Sequence, residues 1–296
     1  MKPSRTEFVP VRGLAYHMRL WGDAAAPKLF MVHGWMDVSA SFQFLVDAFK
    51  RDWCVIAPDW RGYGLTQRAQ ADAYWFADYI ADLDFIVRHY SPDAPIHLIG
   101  HSLGGNVVSH YAGIRPQRIA HLVSLEGFGM RRTQASEAPA RYRKFMDQLA
   151  APPTLKPYAS FDELAGRMIK GNPRLSPEKA AFLARHWGAE VDGKVVLLAD
   201  PAHKIVNATL YRVEEAAACW EAITAPTLLV AARQSEMLTK WIDEAEYRQR
   251  LSHFRKATEA VIEDAGHMLH HDQPQALARL IEDFIAPIPG QGAARP

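Results

Sequence analysis

The residue pattern that most clearly signals chemistry is a nucleophile in a tight turn. Ser102 sits at the centre of Gly100-His101-Ser102-Leu103-Gly104, between an apolar run, Ile96-His97-Leu98-Ile99, and a helical pattern from Leu103 to Gly113. A strand that turns abruptly into a helix forces the residue at the turn into a strained backbone conformation and presents its hydroxyl above the sheet edge. Gly100 and Gly104 keep side chains out of the strand–helix contact, and Gly105 adds room. The same turn brings backbone N–H groups and a helix N-terminus to the place where an oxyanion would form.

A serine hydroxyl is a poor nucleophile near neutral pH and needs a general base, usually histidine. The chain has 13 histidines. His267 stands out because a short loop, Glu263-Asp264-Ala265-Gly266, separates it from the strand-like run Ala257 to Ile262. His270, His271 and Asp272 follow closely, and His267-x-x-His270-His271-Asp272 has the composition of a metal cluster. No ligands of matching spacing occur elsewhere, so no metal is expected. His270 and His271 then read as helix-entry polarity on a pocket rim. The side chain of His101 is expected to point away from the serine.

These residues need a scaffold that brings distant segments to one edge. Strand-like runs at Phe8–Val11 and Leu14–Leu20 flank Arg12-Gly13 and suggest a hairpin. Further runs follow at 28–32, 53–58, 96–99 and 119–125, alternating with helical patterns at 39–50, 74–90 and 103–113. Alternation of this kind implies an α/β class fold, a mostly parallel twisted sheet flanked by helices, with ligands bound at the carboxyl ends of the strands. His33, Gly34, Trp35, Asp59, Ser102 and Glu126 each follow a strand directly. From Gly127 to Ala222 the strand rhythm stops and helical patterns with intervening prolines take over. It resumes with Thr227–Ala232, a helix from Trp241 to Phe254, Ala257–Ile262 and a closing helix from Gln273 to Ile285. The expected organisation is a core of residues 1–126 and 223–286, a helical insertion at 127–222, and a disordered tail at 287–296.

Four segments in this order resemble the α/β-hydrolase superfamily, and within it the serine-hydrolase-like subgroup with a helical cap. They are His33-Gly34-Trp35-Met36-Asp37, Asp59-Trp60-Arg61-Gly62-Tyr63-Gly64, Gly100-His101-Ser102-Leu103-Gly104-Gly105 and Asp264-Ala265-Gly266-His267. The resemblance implies the α/β-hydrolase fold, with Ser102 as nucleophile and His267 as base. It implies the N–H groups of Leu103 and Trp35 as oxyanion donors, with the Trp35 indole at the pocket wall. Trp35, Trp60 and His33 are the candidate substrate-contacting residues. Epoxide hydrolase and haloalkane dehalogenase relatives carry aspartate at the nucleophile position, so serine argues against their chemistry.

The third member of such a triad orients the imidazole and stabilises its cation. Most relatives place an aspartate soon after the strand that here runs 227–232, near Ser235, and none is present there. Glu236 is one position on. Asp243 and Glu244 lie too far along the next helix. Glu126 follows the strand Ile119–Leu125, where some relatives carry their acid, and Gly127 and Gly129 allow a sharp turn. Glu126 is therefore placed first and Glu236 second.

Bulk properties narrow the partner. A net charge of +1 over 296 residues gives no field to attract nucleic acid or an anionic membrane, leaving a small molecule as the expected substrate. Two cysteines make no disulfide framework. No apolar run approaches the ~18 residues of a membrane span, and the first residues lack a signal-peptide h-region, so a cytoplasmic location is expected. No oligomeric state can be read. In the insertion, Phe145, Met146, Tyr158, Met168, Phe182, Trp187, Tyr211 and Trp220 read mainly as packing, with some roofing a pocket. Arg131-Arg132 and Arg141-x-Arg143-Lys144 could draw an anionic acyl group and read more simply as a solvated helix face. The expected function is hydrolysis of an ester or related acyl compound through an acyl-enzyme, without a cofactor. The alternatives are C–C bond, thioester, lactone or amide cleavage by the same residues, or a ligand-binding protein that has lost turnover.

Overall fold

A computed structural model of the chain describes residues 1–236 and 242–286. The tail 287–296, expected to be disordered, lies outside them, as does Trp241. An eight-stranded sheet forms the centre, in the order β1-β2-β4-β3-β5-β6-β9-β10. The hairpin β1 (Ser4–Val11) and β2 (Leu14–Trp21) is antiparallel and joins β4 (Cys54–Pro58) antiparallel. From β4 onward every neighbour is parallel: β3 (Lys28–Val32), β5 (Ile96–His101), β6 (Ile119–Leu125), β9 (Thr227–Ala232) and β10 (Ala257–Ile262).

The central strands are buried on both faces, which is why they read as unbroken apolar runs rather than alternating ones. One apolar layer packs α2 (Phe76–Tyr90), α3 (Leu103–Ile114) and α7 (Val213–Glu221) onto the sheet through Leu83, Val107, Tyr111 and Trp220. The other packs α1 (Gln43–Ala48) and α10 (Pro274–Ile285) through Leu45, Leu277 and Ile281. Leu277, Ile281 and Ile285 recur every four residues, and each such side chain contributes about 1.5–3 kcal/mol by leaving water. Between β10 and α10 lies the short α9 (Leu269–Asp272). The helix expected from Trp241 to Phe254 runs, among the described residues, as α8 (Glu244–Ser252).

The segment between β6 and β9 holds α4 (Ala138–Ala150), α5 (Phe161–Gly171), α6 (Pro177–Trp187) and α7. It also holds a feature the sequence reading missed, an antiparallel hairpin of β7 (Gly188–Val191) and β8 (Lys194–Leu197). Its turn residues Asp192 and Gly193 have φ of 49° and 72°, the backbone of a two-residue hairpin turn whose twist matches the strands. Leu164, Leu183 and Val195 form a small apolar cluster of the insertion, joined by Phe44 from α1.

The insertion is pinned to the loop that follows β4. His203 stacks between Tyr63 and Tyr74, with centroids 3.8 and 3.7 Å away, and its Nδ1 lies 3.0 Å from the Tyr79 hydroxyl. The Gly64 N–H donates to Leu198 O and the Asp200 N–H to Gly62 O. Among the described residues no helix is long and apolar enough to cross a membrane.

Candidate active site

Ser102 occupies the turn between β5 and α3 with φ 53° and ψ −114°. An L-residue pays about 1–3 kcal/mol for such a conformation, so its surroundings must hold it there. They do so by close approach. A Cβ on Gly100 would stand 2.3 Å from the carbonyl O of Gly104, and one on Gly104 would stand 2.3 Å from that of Val32. The Ser102 N–H donates to Leu125 O at 2.8 Å, which locks the turn to β6.

His267 arrives from the loop after β10, with Nε2 3.0 Å from Ser102 Oγ. Its Nδ1 lies 3.2 Å from Glu126 Oε2. The three groups thus form a line in which Nδ1–H donates to the carboxylate and Nε2 accepts from the serine hydroxyl. Glu126 closes β6 with φ 57°, and its side chain is fully buried. Its Oε1 accepts the Ala232 N–H at 2.7 Å, and its Oε2 accepts the Ser235 hydroxyl. Where an aspartate was expected, the chain instead has a serine that steadies the glutamate. Glu236, the second candidate, is exposed, and the carboxylate that reaches His267 is Glu126.

Leu103 opens α3, so its N–H is one of the first-turn donors that a helix leaves without an intrahelical acceptor. Trp35 lies in the turn after β3, just before Met36 at φ 56°. Its indole is half-exposed and donates from Nε1 to His203 O at 3.2 Å, linking this turn to the insertion. His33 and Trp60 differ from expectation. Both are fully buried. The Trp60 N–H donates to His33 Nε2 and the Trp60 indole to His33 O, each at 2.9 Å. Burial lowers the His33 pKa to about 4, so the ring is neutral and accepts. The pair braces the turn that carries Trp35 and has no surface to offer a substrate.

Sequence reasoning also misplaced the residues after His267. His270 and His271 are buried rather than on a rim, because α9 turns inward beneath the site. His271 Nε2 lies 2.9 Å from Ser41 Oγ. Asp272 accepts the Gly266 N–H at 2.9 Å and so fixes the His267 loop. His101 does turn from the serine, with Nε2 2.8 Å from the His267 carbonyl O. Asp37, His101 and His270 meet, with ligand atoms within 4.8 Å of one another, the one set among the described residues that could hold a metal ion. Two imidazoles and a carboxylate suit a borderline ion such as zinc. Burial favours the neutral form of each group, lowering both histidines and pushing the Asp37 carboxyl up to about 7. Asp37 is 64 positions from His101, and no spacing rule links them.

A serine, a histidine and a glutamate offered from the ends of β5, β10 and β6 define an α/β sheet protein with a serine in its strand–helix turn. A family model described as alpha/beta hydrolase fold matches residues 27–274, and the chain belongs to that family. It is 26% identical to a serine hydrolase-like protein of Danio rerio, over 97% of this chain and 90% of that protein. It is 22% identical to serine hydrolase-like protein 2 of Homo sapiens, over 90% of this chain and 89% of that one. Among solved structures, the thioesterase domain from the curacin biosynthetic pathway superposes with a TM-score of 0.85 at 23% identity, covering 95% of this chain and 99% of that domain. E-2-(acetamidomethylene)succinate hydrolase superposes at 0.76 with 19% identity, covering 96% and 99%. These structural likenesses establish the fold.

Proposed function

We propose that the chain is a serine hydrolase that cleaves an ester or related acyl compound through an acyl-enzyme. The observation that carries this is the line from Ser102 Oγ through His267 to Glu126, at 3.0 and 3.2 Å. In this reading His267 takes the Ser102 proton as Oγ attacks the acyl carbon. The N–H groups of Leu103 and Trp35 hold the resulting oxyanion, a contribution worth about 3 kcal/mol per donor in comparable sites. The protonated imidazole delivers its proton to the leaving group, and water then attacks the acyl-enzyme by the same route. Glu126 keeps the imidazole in the tautomer that can accept from the serine. The insertion at 127–222 acts as a cap over the sheet edge, and the substrate is a small molecule.

Two features support the reading beyond the triad. The backbone at Ser102 is held in a costly conformation that has no evident use except to present the hydroxyl. Two of the proteins named above are called serine hydrolase-like, which agrees with a serine at the reacting position. The test is labelling of the folded protein with a fluorophosphonate. Wild type should be modified at Ser102, and Ser102→Ala should lose all labelling while melting at the same temperature or higher. A folded wild type that takes no label would overturn the proposal.

A further inference from the structure

Beside the site lies a cavity of about 700 Å³ that the triad does not use. It runs along α3 away from the nucleophile. Its near end is bounded by Asn106, four residues after Ser102, and Met130, four residues after Glu126. One helical turn, about 5.4 Å along the axis, separates Asn106 from Ser102. Its floor is apolar and aromatic, with Trp75 and Phe76 from the start of α2 and Tyr211 ahead of α7.

The charge around it is one-sided. Arg131, Arg141 and Arg212 line it, against Glu215. A chain with a net charge of +1 has concentrated arginines at this place. Arg131 pairs with Glu137 and Arg212 with Glu215, whereas Arg141 makes no ion pair among the described residues. The neighbouring Arg132 does not line the cavity and is taken up by Glu214 and Glu246.

Arg141 sits on α4, and α4 is unusual. None of its 13 residues is buried. Its half-buried positions are Ala138, Arg141, Phe145, Gln148 and Leu149, spaced so that they form one face. A helix gains most of its stability in a protein by packing one face against a partner. Here that face carries three apolar side chains and an arginine that shares the field of Glu137 with Arg131 and has no carboxylate within ion-pair distance among the described residues.

We propose that this cavity receives an apolar substrate segment that ends in a carboxylate, with Arg141 as the group that pairs with the carboxylate. The proposal rests on the hydrolase reading and names its substrate class: a dicarboxylic acid monoester or thioester, attacked at the esterified end. Apolar atoms of the segment lie against Trp75, Phe76 and Tyr211, and the free carboxylate meets the guanidinium in a charge-assisted pair.

The test compares two substrates of similar length, the 4-nitrophenyl monoester of adipic acid and 4-nitrophenyl hexanoate, on wild type, Arg141→Gln and Arg141→Lys. Wild type should prefer the charged ester, and the preference should shrink as salt is raised. Arg141→Gln should lose about tenfold in kcat/KM on the charged ester, mostly through KM, and stay within about twofold on the neutral one. Arg141→Lys should recover part of the loss. Equal losses on both esters, or a wild type that prefers hexanoate, would overturn the proposal. Binding of monomethyl adipate to Ser102→Ala, with and without Arg141→Gln, separates the two ideas because it needs no turnover. A tenfold weaker Kd in the double variant supports the site even if Ser102 proves inert, and an unchanged Kd overturns it.

Discussion

Among the described residues, two histidines pair with a buried carboxylate that directly follows a strand, and only one of these pairs has the form of an active site. His17 and Asp59 lie 2.7 Å apart, both fully or almost fully buried. Asp59 also accepts the N–H groups of Ser39 and Leu65, at 2.7 and 3.0 Å. Burial is the largest single influence and would raise its carboxyl, but the hydrogen bond from His17, the nearby imidazoles and the Leu65 N–H together outweigh it and hold the group below the usual carboxylate range. Every group around this pair is committed to holding the loop after β4. His267 and Glu126 are built differently. The carboxylate is just as buried, but the imidazole is over a quarter exposed and turns its second nitrogen to a serine. The difference lies in one open face on the ring, not in the pair itself.

The contrast can be broken by neutralising each carboxylate in turn. Glu126→Gln should keep the fold and lower kcat by about 10³–10⁴-fold, because the amide no longer enforces the productive tautomer; single-turnover kinetics with circular dichroism would check both halves. Asp59→Asn should do the reverse, costing about 3 kcal/mol in urea unfolding while properly folded molecules keep their rate constant. If the two variants behaved alike, the division into a working and a structural pair would fail.

A pH titration sharpens the same contrast. Burial lowers His33 to about 4, and His203 and His271 to about 3. These rings are neutral in the fold and gain protons more readily when it opens. Their contribution is complete above the ordinary histidine value near 6.5, and stability should fall as pH drops from there toward 3. Melting temperature followed from pH 7 to 4 should decline steadily, and a flat profile would contradict the burial of these rings. The smallest effect is expected at the rejected acid. Glu236→Gln should leave kcat/KM within about twofold of wild type, and Ser235→Ala, which takes a donor from Glu126, should cost about tenfold. Steady-state rates on one ester would rank the two.

Much of this was legible in the sequence, and the limits have physical causes. The parallel strands could be read because burial on both faces leaves runs such as Cys54–Pro58 with no polar interruption. Ser102 and His267 could be read because a sharp strand–helix turn demands glycines at fixed offsets. Glu126 emerged from its place at the end of β6. The hairpin β7–β8 was overlooked although Asp192-Gly193 announced it, because its strands are only 4 residues each and sit among helical patterns. The burial of His33, Trp60, His270 and His271 was not legible. A polar residue just past a strand can face the pocket or the layer beneath it, and tertiary packing decides which.

The insertion contributes no atom to the line from Ser102 to Glu126, yet it leaves the sheet immediately after that glutamate. The exit is fastened before the first helix of the insertion begins: Arg250 donates to Phe128 O and Asn106 Oδ1 accepts the Gly129 N–H, at 2.9 and 2.8 Å. An exchange of the residues beyond Gly129 would therefore have to replace His203 between Tyr63 and Tyr74, the Leu198 and Asp200 backbone bonds to the loop after β4, and the Trp220 side chain in the core. Such an exchange would alter the insertion and leave the atoms of the line from Ser102 to Glu126 in place.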